Sequence, residues 1–465
     1  MNYNSEIMLL DKGGIHVKRT SQQAGVILHD YERILLQHLH VHRTMRASSV
    51  HKLYTMLSKK KLSKVNISHR LSKLLNSGVL SRMEEQISDV EGRFIRYSYK
   101  LGDRGFDVLV SMGYLTISEA NKQVAAYRNL KLPSYHTKAS SIICNHIAIE
   151  CMKDDSASVM KMSRGNTHSE FGTTSDVTTE MKGIVIPDYV FENNNCYVTI
   201  EIDTGRQRSH IIKSKYERYK KKAASLKESG KSIMCVFVVV DDSVSNEQLG
   251  DRAKRVNSLK NMFPPFNDWG DNLHFYAIRA IHAPQLIVKL LTGKEPIPKL
   301  SREFLCDDWI DSVKVVENNR ITVSRYNPSQ FVYSNSAEHM NADGFVQFTE
   351  KGKYPKSYAL IFMQEGSVSS YQTYQTNLLR AEQYNDSIQE VDNIASYKIM
   401  LIYDKSLNAT NDIIALNIPE VVSVLITDIS SWQQRQFNLS DTSIEPKIIE
   451  LVTPFKKVTK EGYHL

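Results

Sequence analysis

IVIPDYVFENNNCYVTIEIDTGRQRSHIIKSKYERY, running from Ile184 to Tyr219, reads as strand, turn, strand and helix. Val185, Tyr189 and Phe191 alternate with Ile184, Ile186, Asp188 and Val190, and the alternation resumes from Cys196 to Asp203. With the polar run Glu192, Asn193, Asn194, Asn195 as the hairpin loop, Phe191 faces Cys196, Asp188 faces Thr199 and Ile186 faces Glu201. Side chains change face at every residue, so Asp188, Thr199, Glu201 and Asp203 share one face. Val185, Tyr189, Phe191, Val198, Ile200 and Ile202 make the other, an apolar wall for a core.

In this register Asp188 and Glu201 sit diagonally, about 7–8 Å apart between backbones, within reach of one shared ion. Carboxylates this close raise one another's pKa unless a proton or cation intervenes. Mg²⁺ takes one or two carboxylates with waters and a phosphate, which suits Asp188, Glu201 and Asp203, and Mn²⁺ is the alternative ion. A solvated sheet face is the competing reading, opposed by Ile184, Ile186 and Val190 beside the acids. In the following helix, Ile212, Tyr216, Tyr219 and Ala223 recur at helical spacing, which turns Lys215 toward the sheet. There Lys215 either steadies phosphate charge or orients water, or is simply a snorkelling helix lysine.

Pro187-Asp188 followed by Glu201-Ile202-Asp203 resembles the PD-(D/E)xK nuclease core, in which a hairpin carries D…E-x-K. More narrowly, PDYVFE…YVTIEIDTG…KSKYERY resembles the replication-relaxation family of plasmid and mobile-element proteins, over roughly residues 25 to 245. That resemblance implies an N-terminal winged helix joined to a nuclease-like domain, with PD…E-x-D-x-G…K-x-x-x-Y at Pro187, Asp188, Glu201, Asp203, Gly205, Lys215 and Tyr219. It also implies a role in plasmid replication and relaxation. The E-x-K lysine is here Asp203, which leaves catalysis open.

Upstream, Arg33 to Met83 holds eleven Lys and Arg and no Asp or Glu. Its apolar spacing predicts three helices. Asp30 would cap the first, Ser48 or Ser49 the second, and Ser63 or a neighbour the third, which ends at Gly78. Val79 to Met83 and Arg93 to Leu101 then read as two strands around a polar loop holding Glu84, Glu85, Asp89 and Glu91. This is the order of a winged helix-turn-helix. Its third helix would enter the major groove of double-stranded DNA with Lys64, His69 and Lys73 outward, while Arg43, Arg46, Lys52 and Lys59 to Lys61 meet phosphates. His38-Leu39-His40-Val41-His42 matches the His-hydrophobic-His strand of rolling-circle initiators, but its residues fall in a helical frame, as core-edge histidines would.

At 465 residues the chain exceeds one core, and its composition is that of a globular protein, 41% hydrophobic and 24% charged with net charge +8. No apolar run approaches a membrane span and no signal peptide is evident. Five scattered cysteines without C-x-x-C pairs point to reduced thiols and a cytoplasmic location. Ser140 to Met152 reads as a buried helix whose Glu150, like Glu170 in THSEF, is a candidate additional acid. Asn246 to Met262 reads as a further helix with Arg252, Lys254, Arg255 and Lys260 exposed. Ser357 to Tyr384 overlies Cys196 to Ala223, pairing Ile200 with Ile361 and Gly205 with Gly366, with Phe362 and Gln364 for the acids and Thr349 in the place of Asp188.

The expected fold is α/β multi-domain: a winged helix over 25–133, a PD-(D/E)xK-like α/β/α domain over 134–298, and a degenerate nuclease-like α/β copy over 299–465. The expected function is DNA binding for a mobile element, with Asp188, Glu201, Asp203 and Lys215 nicking or cutting DNA. The alternative is a non-catalytic replication initiator or transcriptional regulator. The expected partner is double-stranded DNA, with homo-oligomer formation open and no membrane.

Overall fold

The structure is a computed structural model that describes residues 7–8, 22–23, 26–58, 62–89, 92–128, 134–154, 157, 161–172, 185–205, 207–244, 251–317, 320–325, 341–352, 355–388, 397–405, 412, 418–419, 422–439, 446 and 448–451. Its contacts define two compact units, Met1–Leu249 with Arg279–Thr292, and Gly250–Ile278 with Gly293–Leu465.

In the first unit, the two-residue strands Ile7–Met8 (β1), Gln22–Gln23 (β2) and Val26–Ile27 (β3) precede helix α1 (Asp30–His42). Strand β4 (Met45–Arg46), helices α2 (Ala47–Leu57) and α3 (Lys64–Asn76), and a hairpin of β5 (Leu80–Asp89) and β6 (Gly92–Leu101) follow. Helices α4 (Asp103–Ser111) and α5 (Ile117–Arg128) complete this part. The apolar stripes behave as their spacing requires: Leu35, Leu39, Val50, Leu53, Ile67, Leu71 and Leu74 share one buried core. The caps differ in part from expectation. Ser63 does cap α3, its Oγ accepting the Asn66 N–H at 3.2 Å, but His29 precedes α1 and Arg46 precedes α2. Glu32 draws the α1 boundary back by accepting the His29 N–H at 2.9 Å, which leaves Asp30 inside the first turn.

Glu32 also ties the three helices together. It is fully buried, accepts from Tyr54 of α2 at 2.5 Å, and pairs with the Arg70 guanidinium of α3. The hairpin is longer than expected, and Glu84 and Glu85 lie within β5 rather than in a loop. They are tolerated there because Arg82 pairs with Glu84 at 2.8 Å and Lys138 pairs with Glu85. The three histidines of α1 are helical and buried, as the helical frame predicts. Burial holds His38 down at about 4.

The rest of this unit is a sheet with helices. Helix α6 (Tyr135–Lys153) leads to β7 (Lys161–Arg164), β8 (Tyr189–Glu192), β9 (Cys196–Asp203), α7 (Ser209–Leu226), β10 (Ser232–Val239) and later α9 (Ala283–Leu291). Strands β1, β7, β8, β9 and β10 lie side by side in that order. β8 is antiparallel to β9, and β10 is parallel to it. The hairpin register is two residues from the expected one: Tyr189 faces Ile200 and Phe191 faces Val198. Asn193 causes the shift, because its Oδ1 accepts the N–H groups of both Asn195 and Cys196 at 2.8 Å and starts the turn there. Glu192 stays in the strand, opposite Tyr197 and near Lys231, His168 and Lys161. An even shift moves no side chain to the other face.

The second unit contains helix α8 (Arg252–Lys260), strand β11 (Leu273–Arg279, to Ile278) and helix α10 (Lys299–Val316). Strands β12 (Ile321–Arg325), β13 (Gly344–Glu350) and β14 (Lys356–Phe362) follow, then helix α11 (Val368–Ile388). Strands β15 (Tyr397–Tyr403), β16 (Ser423–Asp428) and β17 (Ile449–Leu451) complete the sheet, in the order β12-β13-β14-β15-β16-β17. As in the first unit, two antiparallel pairings are followed by a parallel one. Cys306 and Trp309 of α10 pack on one sheet face with Leu360 and Phe362, and Tyr371 and Tyr374 of α11 pack on the other with Ile361.

Two expectations about this unit are corrected. Arg252 and Lys260 are buried, not exposed. Lys260 is fully enclosed because it pairs with Asp412, whose carboxylate also takes the Gly366 N–H at 2.8 Å and the Tyr403 hydroxyl at 3.0 Å. The place of Asp188 is held by Asp343 and not by Thr349. Asp343 donates its N–H to Leu360 O at 2.8 Å and accepts the Phe362 N–H at 2.9 Å. Asp188 makes the same pair of bonds with Ile200 and Ile202.

Glu32→Ala leaves Arg70 and Tyr54 without their buried acceptor, so it should lower stability by about 3 kcal/mol. Urea denaturation of wild type and variant checks this, with Val65→Ala on the exposed side of α3 as the near-neutral control.

Candidate functional site

The hairpin of β8 and β9 places Asp188 against Glu201. The Asp188 N–H donates to Ile200 O at 2.9 Å and its Oδ2 accepts the Ile202 N–H at 2.8 Å, so it brackets Glu201 from both sides. Glu201 is 1% exposed and points to α7, where Lys215 Nζ lies 2.5 Å from Oε2 and the Tyr219 hydroxyl donates to Oε1 at 2.8 Å. Helical spacing brings both partners to one carboxylate, because residues four apart lie one above the other. Burial pushes the Glu201 carboxyl up, Lys215 draws it back, and Asp188 adds to the rise. Burial would lower Lys215, but the Glu201 charge more than offsets it and the ammonium ends above its usual range.

His136, near the start of α6, is a member of this site that no sequence pattern singles out. Its Nε2 lies 3.4 Å from Asp188 Oδ2 and 3.2 Å from the Ile202 carbonyl oxygen. The hydrogen bond with Asp188 raises its pKa against the opposing effect of burial. His136 is far from the hairpin in sequence, and only the docking of α6 on the sheet brings the two together.

The other proposed acids lie differently. Asp203 is buried, and its Oδ1 accepts the Gly205 N–H at 3.1 Å in a turn where Gly205 takes φ 86°. Glu150 pairs with Lys153 of its own helix at 2.9 Å, and Glu170 with Lys222 of α7 at 2.8 Å. Among the described residues, no group of three His, Cys, Asp or Glu side chains is arranged to hold a metal ion. Each Glu201 oxygen accepts a hydrogen bond, from Lys215 or Tyr219, and Asp188 is shared with His136, so a divalent ion would compete with Lys215 for Glu201.

A second surface lies on α3. Lys64, Asn66, Ser68, His69, Ser72, Lys73 and Asn76 are exposed along it, with no acid among them. Arg70 is drawn off this face by Glu32. Of the other expected DNA contacts, Arg43 is exposed beyond the end of α1 with φ 62°. Arg46 donates to the Val244 carbonyl at 2.8 Å, and Lys52 Nζ lies 3.4 Å from His146 Nε2. Lys59 to Lys61 lie outside the described residues. No helix among the described residues is long and apolar enough to cross a membrane, and all five cysteines are buried free thiols.

Residues 36–233 match the family described as Replication-relaxation. This stretch contains α3, Asp188, Glu201 and Lys215. No curated protein and no solved structure matches the chain.

Lys215→Met removes the charge that holds Glu201 ionised in its buried place. The folded-state pKa of Glu201 then rises further, so the folded protein binds a proton more tightly than the unfolded one and loses stability as pH rises. Stability of the variant should fall by about 3 kcal/mol between pH 5 and pH 8. Urea midpoints across that range should fall more steeply with pH in Lys215→Met than in wild type, where Glu201 is raised less.

Proposed function

From the match of residues 36–233 to the family described as Replication-relaxation, we propose that the chain is a DNA-binding protein serving replication of a plasmid or other mobile element. The helical part of the first unit is read as a winged helix-turn-helix, with α3 as the helix that enters the major groove and β5–β6 as the wing. The observation that carries this reading is the acid-free exposed face of α3, with Lys64, His69 and Lys73 among short polar side chains. Lysines there neutralise phosphates, while Asn66, His69 and Asn76 have the donors and acceptors that read base edges. The withdrawal of Arg70 to Glu32 supports it, since a structural ion pair holds the helix at its docking angle without using the outer face.

The sheet part is read as a PD-(D/E)xK-like core, in which strand order, the Asp188–Glu201 juxtaposition and the helix lysine agree with the family pattern. Its non-catalytic form is the one the geometry supports best. A second reading, metal-dependent cleavage of DNA by Asp188, Glu201, Asp203 and Lys215, is favoured by the convergence of Asp188, Glu201 and Lys215. It requires a divalent ion to displace Lys215 from Glu201.

Fluorescence anisotropy with labelled duplex DNA tests the first reading. Lys64→Ala and Lys73→Ala should each weaken binding to all sequences and reduce the slope of log K against log salt by about one. Binding that is indifferent to both substitutions would remove α3 from the interface. Supercoiled plasmid incubated with Mg²⁺ or Mn²⁺ separates the two readings. It should stay supercoiled, whereas relaxation that disappears in Glu201→Gln would establish cleavage.

A further inference from the structure

We propose that Asp188 and Asp343 are equivalent strand-to-helix clamps in two copies of one core, and that Asp188 and Glu201 of the first copy are partnered by His136 and Lys215 rather than by a divalent ion. This stands apart from the DNA-binding reading, since none of its observations involves α3.

The argument begins with hydrogen bonds that recur. Asp188 bonds the Ile200 carbonyl and the Ile202 N–H, at 2.9 and 2.8 Å. Asp343 bonds the Leu360 carbonyl and the Phe362 N–H, at 2.8 and 2.9 Å. Each aspartate therefore straddles one residue of the neighbouring strand, Glu201 in the first copy and Ile361 in the second. Each also takes a nitrogen from the opening turns of the helix that precedes its sheet. His136 Nε2 of α6 lies 3.4 Å from Asp188, and Arg302 Nε of α10 lies 3.0 Å from Asp343. Both strands then pass through a positive-φ glycine, Gly205 at 86° and Gly366 at 77°, before α7 and α11.

The second copy shows what the aspartate does when no chemistry surrounds it. Ile361 is buried against Tyr371 and Tyr374 where Glu201 would meet Lys215 and Tyr219. A lone carboxylate paired with arginine makes no cation site, yet it keeps every structural bond of its counterpart. Its contribution is to satisfy a strand N–H and to pin the start of a helix, and burial makes both bonds costly to lose. Asp188 meets the same two needs. Of the two acids added in the first copy, Glu201 has both oxygens engaged by an ammonium and a phenol, and Asp203 accepts the Gly205 N–H. That engages both Glu201 oxygens before any divalent ion arrives.

Mn²⁺ titration of the full chain, followed by the electron paramagnetic resonance of the free ion, tests this directly. The variants are Asp188→Asn, Glu201→Gln and Asp343→Asn, near-isosteric changes that keep a hydrogen-bond acceptor. The expected result is no saturable Mn²⁺ site in wild type, together with a drop in Tm of a few degrees in both Asp188→Asn and Asp343→Asn. A saturable site weakened tenfold or more by Asp188→Asn and by Glu201→Gln, but unchanged in Asp343→Asn, would overturn the proposal. Unchanged Tm in both asparagine variants would also overturn it. No DNA enters this experiment, so its outcome is separable from that of the α3 titrations.

Discussion

A carboxylate with almost no exposed surface sits in the middle of the central strand of the first unit, and the surrounding structure answers to it. A buried ion is expensive unless it is paired and its remaining lone pairs are used. Glu201 meets both conditions through Lys215 and Tyr219, which α7 presents on adjacent turns. The position of α7 and the inward direction of one lysine on an otherwise basic helix follow from that need. Replacing the trio by apolar side chains would make an ordinary core, as Ile361 does in the second unit.

The same logic recurs elsewhere in the molecule. Glu32 gathers α1, α2 and α3 around one carboxylate, and Asp412 encloses Lys260 with Tyr403 and the Gly366 N–H. Each is a buried charge with a dedicated partner. Such groups specify one arrangement, since a partner out of place strands a charge in a low-dielectric interior. In the helical part this leaves the outer face of α3 with its lysines and small polar residues turned to solvent.

Much of this was legible in the chain. Period-two alternation separated the apolar wall from the acid-bearing face of the hairpin, and the assignment survived a register error because the error was even. Three-four spacing identified α1 to α3 and turned Lys215 inward. What escaped was whatever depended on a distant partner. His136 joins Asp188 only through the docking of α6, and Lys260 was assigned to the surface because nothing near it in sequence announces Asp412. In the second unit the hydrophobic pattern set Ile361 against Ile200, which left the aspartate out of place. The hydrogen bonds instead match Ile200 to Leu360.

Local chemistry therefore determined the elements, their buried faces and the residues able to carry charge, because propensity, periodicity and side-chain direction act over a few residues. Which charges meet was decided by tertiary structure alone. Coulomb energy depends on separation and on exclusion of water, and both are set by how helices and strands pack. Which side chains meet Asp188 and Glu201 is a question of packing, and here packing brings His136 to the first and Lys215 to the second.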